Sequence, residues 1–137
     1  MKSRFDTLSS QDTRIAEMDK SRKRTEDAAV IFLRCYDQKQ SDTETYPSLK
    51  AFLSAVSQLD RCGFFENSSD RILNTDLVLE AVKAMKERYK RIDYDALFRA
   101  KLITGSITDQ EKYVEETVQK RADNIISKLG TYSAAER

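Results

Sequence analysis

Three glycines and one proline are all the strong turn-formers in this 137-residue chain. Sheets need tight turns, which draw on glycine for positive φ and on proline for a preset φ, so this scarcity argues against most β architectures. No stretch alternates apolar and polar residues for long enough to make a half-buried strand. The chain reads as all-α, with about five helices in a compact helical bundle and a long N-terminal helix projecting as an arm. At this length one core is expected. The reading divides the chain into a flexible N-terminus over 1–10, a single helical domain over 11–130 and a frayed tail over 131–137.

The apolar spacing places the helices. The first is expected to start after "SSQD", with Ser9, Ser10 or Asp12 as cap, and to run to about Gln38. Ile15, Met18, Arg22, Thr25, Ala29, Phe32 and Tyr36 follow a 3-4 spacing, a coiled-coil ladder with two polar rungs. From Ala28 the run "AAVIFL" is apolar on nearly every side and predicts deep burial. "YPSLKAFLSAVSQLDRCG" predicts a second helix, with Pro47 near its first position and Gly63 just past its end. Phe64 and Phe65 are expected to tuck under the core.

A third helix is predicted from a cap at Asn74 or Thr75 to about Arg91, with one preliminary turn at "DRIL". Asp93 is expected to cap a short fourth helix, "YDALFRAKLIT", closed by Gly105. "TDQE" at 108–111 has the form of a capping box, Thr108 with Glu111, opening a last helix that Gly130 ends.

The chain contains no histidine. That removes the commonest general base, the commonest zinc ligand and the usual nucleophile triads. Its isolated glycines build no phosphate loop. Glu111, Glu115 and Glu116 are the densest carboxylates on one helix, but acids in a first turn are explained by the helix dipole, and no second carboxylate helix matches them. No catalytic residue, metal or cofactor is expected. Cys35 and Cys62 are expected to be reduced, structural thiols, roughly 20 Å apart if they end successive antiparallel helices. No apolar run reaches the ~18 residues of a membrane span and the first residues lack a signal-peptide core, so an intracellular protein is expected, with cytoplasm and nucleus not distinguished.

Charge supplies the two functional readings. Lys20, Arg22, Lys23 and Arg24 are offset by Glu17, Asp19, Glu26 and Asp27, so residues 17–27 sum to zero. Pairs such as Glu17 with Lys20 and Lys23 with Asp27 would make the run a solvated helix face. Residues 83–101 are different. Lys83, Lys86, Arg88, Lys90, Arg91, Arg99 and Lys101 face only Glu87, Asp93 and Asp95, an excess of +4, interleaved with Tyr89, Tyr94 and Phe98. Cations for phosphates and flat rings for bases are what single-stranded nucleic acid requires.

The first reading is a non-catalytic protein–protein interaction subunit, an adaptor, assembly factor or inhibitor. It would dock a partner or a self-copy through Ile15, Met18, Arg22 and Thr25 on the N-terminal helix. The alternative is a small nucleic-acid-binding subunit that uses Lys83, Lys86, Arg88, Tyr89, Lys90, Arg91, Tyr94, Arg99 and Lys101. A sequence pI near 7.7 is low for a free-standing nucleic-acid binder, whose domain pI usually exceeds ~9.

Overall fold

A computed structural model describes the backbone of residues 2–37, 41–67 and 73–135, and side chains over 16–37, 41–66 and 73–132. The described backbone is helical, with no strand: α1 (Lys2–Asp37), α2 (Asp42–Arg61), the single turn α3 (Phe64–Asn67), α4 (Thr75–Arg91), α5 (Tyr94–Arg99), α6 (Ile107–Tyr113) and α7 (Gln119–Ala135). A π-helical turn, Val114–Val118, joins α6 to α7 without a break. The five expected helices are therefore present, the last as one rod with a widened turn.

Several boundaries differ from expectation for local reasons. α1 begins at Lys2, so Ser9, Ser10 and Asp12 lie inside it; with neither Gly nor Pro before Asp37, nothing interrupts its backbone. α2 opens at Ser41, whose hydroxyl accepts from the Glu44 amide at 3.4 Å, and "SDTE" is itself a capping-box sequence. Pro47 sits within the second turn of α2 rather than at its start. α5 stops at Arg99 because the Leu102 amide bonds back to Leu97 and the Lys101 amide to Phe98. This pair of bonds closes a Schellman motif with Lys101, φ 60°, in the left-handed position. Gly105, φ 87°, belongs to the following loop.

α6 is capped by Ser106, which accepts from the Asp109 amide at 3.0 Å, two residues before the expected Thr108. Gly130 does not end α7; the helix passes through it, and Tyr132 beyond is buried against Phe64 and Phe65, with ring centroids 5.7 and 6.2 Å away. That aromatic contact holds a segment expected to fray. Asn74 and Asp93 cap α4 and α5 as expected. The "DRIL" turn falls largely outside the described residues.

The core collects one face of each helix: Met18, Ala29 and Phe32 of α1, Leu49, Phe52, Val56 and Leu59 of α2, Val78, Val82 and Met85 of α4, and Val118, Ile125 and Leu129 of the last rod. α1 packs on both α2 and α4, and α4 on α7. The α1–α2 pair is antiparallel: Ser21 adjoins Cys62, Thr25 meets Ala55, and Phe32 stacks on Phe52 with centroids 6.0 Å apart. Both cysteines are free and half-buried. Burial pushes the Cys62 thiol up.

Candidate interaction surfaces

The ladder on α1 faces inward wherever side chains are described. Met18 is buried in the core and Thr25 is fully buried, its hydroxyl donating to the Ser21 carbonyl at 2.8 Å and to the Ala55 carbonyl at 3.2 Å. Met18 was expected to dock a partner or a self-copy. α2 covers this stretch because it starts at Asp42 and spans 20 residues, about 30 Å at 1.5 Å per residue, carrying its C-terminal end to Ser21. Ile15 lies outside the described side chains. Arg22 is only partly covered and holds Asp19 at 3.1 Å and Glu26 at 2.8 Å. Desolvation lowers its pKa, and the hydrogen bonds to Glu26 and Asp19 outweigh that and raise it.

That double pairing leaves the other cations of the run uncommitted. A forked guanidinium reaches partners three residues back and four ahead at once, which a single ammonium does not. Among the described residues, the expected Glu17–Lys20 and Lys23–Asp27 pairs are absent, and Lys20, Lys23 and Arg24 enter no ion pair. They rim an open groove of about 410 Å³ between α1 and α2, lined also by Asp27, Ala28, Ile31, Ser48 and Ala51. Ile31 is 54% exposed and its neighbour Val30 41%, although "AAVIFL" predicts burial all round. The ladder itself held the signal: with Ala29 and Phe32 inward, Val30 and Ile31 swing to the outer side at 100° per residue.

Two cations of the 83–101 stretch are tied to distant segments, and three more pair along their own helices. Arg88 pairs with Asp42 at 2.7 Å, Lys86 with Asp123, Arg91 with Glu87 at 3.4 Å, Lys90 with Glu87 at 3.8 Å, and Arg99 with Asp95 at 3.1 Å. Tyr89 and Tyr94 are buried, and the Tyr94 hydroxyl donates to the Tyr89 carbonyl at 2.8 Å. Of the two places open to these rings, stacking platform or inner stripe of the helix, the fold uses the stripe. Burial, with smaller contributions from nearby phenols and carboxylates, raises both phenol pKa values well above the usual range. Lys83, Lys101 and Phe98 remain exposed, and neither lysine enters an ion pair among the described residues.

Arg88 and Arg91 line a pocket of about 460 Å³ with Tyr36 and the acids Asp37, Asp42 and Glu87. Three carboxylates against two guanidiniums make it a poor seat for a phosphate.

At the start of the last rod, Ile107 and Tyr113 are exposed amid Asp109, Glu111, Glu115 and Glu116. None of these four acids enters an ion pair among the described residues. Glu116 and Lys120, four apart in sequence, form no ion pair, since the π turn shifts the register that would align them. No group of three His, Cys, Asp or Glu among the described residues could hold a metal ion, and no described helix is long and apolar enough to cross a membrane. No protein-family model matches the chain, and no curated protein or solved structure is detectably similar to it.

Proposed function

We propose that this chain is a non-catalytic helical interaction subunit that docks another protein through its N-terminal helix, using the outward face of α1 rather than the ladder. The observation that carries this reading is Ile31, an aliphatic side chain more than half exposed beside a groove whose cations Lys20, Lys23 and Arg24 are unpaired. A single exposed aliphatic residue needs no explanation. One set in a groove with uncommitted charge at its rim has the anatomy of an interface, an apolar centre within a polar border. A photoreactive residue at position 31 or 24, introduced in the cell of origin and followed by nuclease treatment, tests it. One discrete protein adduct from both positions and none from exposed Glu80 supports the reading. Equal adducts from all three, or none, overturns it.

The nucleic-acid reading rests on exposed Phe98 with the exposed cations of the basic stretch, Lys83 and Lys101 outside any ion pair among the described residues and Lys90, Arg91 and Arg99 in surface pairs. It requires binding to labelled oligothymidine that weakens with salt by roughly 0.7 log units per log unit of salt for each phosphate contact. Replacing Lys83 and Lys101 with Gln should then flatten that slope. Absence of binding at low salt removes this reading.

A further inference from the structure

Unpaired charges of opposite sign predominate in two places, each of which carries exposed apolar side chains. In the α1–α2 groove, Lys20, Lys23 and Arg24 outnumber the one lining acid, Asp27, and stand with Ile31 and the small Ala28 and Ala51. Such small side chains let another helix approach closely. On the last rod, Asp109, Glu111, Glu115 and Glu116 are exposed in the same short segment as Ile107 and Tyr113, with Lys112 as the one cation between Ile107 and Val118. Of the large apolar side chains exposed among the described residues, Val30, Ile31, Phe98, Ile107 and Tyr113, one lines the groove and two lie on the acidic segment.

From these two surfaces we infer that the chain associates head to tail with copies of itself, the acidic α6 segment of one copy lying in the basic α1–α2 groove of the next. The inference rests on the docking reading above and names its partner. Charge complementarity selects this occupant, because the chain itself supplies an acidic helix with aromatic and aliphatic anchors. Tyrosine is among the side chains enriched at the centres of interfaces. A net charge of only +1 keeps the long-range repulsion between copies small while the two faces attract. The contact is heterologous, since the two faces differ. Each added copy therefore leaves one groove and one α6 segment open, and growth continues unless the rotation closes a ring.

Sedimentation velocity on the intact chain tests this, after nuclease treatment and at protein concentrations up to about 200 µM, where even weak contacts of Kd ~0.1 mM are populated. Wild type is expected to sediment faster as concentration rises at about 50 mM salt, and to fall back toward monomer at about 0.5 M, where the Debye length shrinks to a few ångströms. Two charge-reversed variants follow, Lys20→Glu with Lys23→Glu and Arg24→Glu, and Glu111→Lys with Glu115→Lys and Glu116→Lys. Each alone should associate at least about tenfold more weakly, a loss of ~1.4 kcal/mol. Mixed one to one, they should regain association, because each reversed face then meets its opposite. Thermal unfolding of each variant verifies that it is folded, and the salt dependence of wild type stands independently of both.

A wild type that stays monomeric at low salt overturns the inference, as do variants that still self-associate alone or folded variants that fail to rescue one another. Association lost on nuclease treatment overturns it too, in favour of bound nucleic acid. A monomer that nonetheless cross-links another protein from position 31 removes the self-copy and keeps the docking reading. A monomer with no adduct removes both.

Discussion

The hydroxyl of Thr25 on α1 donates to the backbone carbonyl of Ala55 on α2 at 3.2 Å. A side chain as short as threonine reaches a carbonyl of the facing helix only where the two backbones run close, which Ala55 and Ala29, both buried, permit. The same hydroxyl bonds back to Ser21 at 2.8 Å, so the polar rung of the α1 ladder is satisfied within the chain. In an intermolecular coiled coil, leucine at this position would strengthen the seam. Here Thr25→Leu overpacks a closed contact and is expected to cost about 1–3 kcal/mol, read from urea unfolding at fixed protein concentration. A variant that gains stability, and gains it more at higher protein concentration, would show the rung to face another chain.

Lys101 adopts φ 60° to close α5. A side chain with Cβ is penalised in that conformation and glycine is not. Lys101→Gly is therefore expected to stabilise the fold by roughly 0.5–1 kcal/mol, with the midpoint of urea unfolding rising and its slope unchanged. A loss of stability would mean that the lysine side chain holds the α5–α6 loop through contacts worth more than the strain.

Burial raises the phenol pKa values of Tyr89 and Tyr94, and of half-buried Tyr46. Below the unfolded-state value of about 10 these phenols are neutral in both states and contribute no pH dependence. Above it the unfolded chain releases protons that the folded chain keeps, so stability falls by up to about 1.4 kcal/mol per pH unit for each such tyrosine. Unfolding monitored between pH 9 and 11 should show this onset, with phenolate absorbance from these residues appearing together with unfolding. Tyr89→Phe keeps the ring and should make the alkaline loss shallower. An unchanged slope would indicate that Tyr89 ionises as readily folded as unfolded.

How much of this was legible in the sequence varies with the range of the interaction that decides it. Helical class and inner stripes follow from spacing, and the caps at Asn74 and Asp93 from side chains that bond amides three residues on. Ser41–Glu44 was equally legible as a capping box, but the expected start of the helix rested on Pro47, which α2 tolerates in its second turn. Gly130 shows the opposite limit: a helix stop was written locally, and Tyr132 meeting Phe64 and Phe65 across the fold overrides it. The candidate surfaces were the least legible. A sum of zero over residues 17–27 conceals that Arg22 takes two acids and leaves three cations free of ion pairs. The +4 excess over 83–101 conceals partners such as Asp42 and Asp123, brought in from distant segments.

From Met18 onward the described ladder residues Met18, Thr25, Ala29 and Phe32 are buried, and it is the outer side of α1 that we propose for docking. The most direct measurement is urea unfolding and cross-linking from position 24, on Met18→Glu and Ile31→Glu in parallel. Met18→Glu drives a charge into the core and should cost at least about 3 kcal/mol. Ile31→Glu should stay within about 0.5 kcal/mol of wild type while losing the adduct. A Met18→Glu variant that keeps its stability and loses the adduct, beside an Ile31→Glu variant that keeps both, would instead place docking on the ladder.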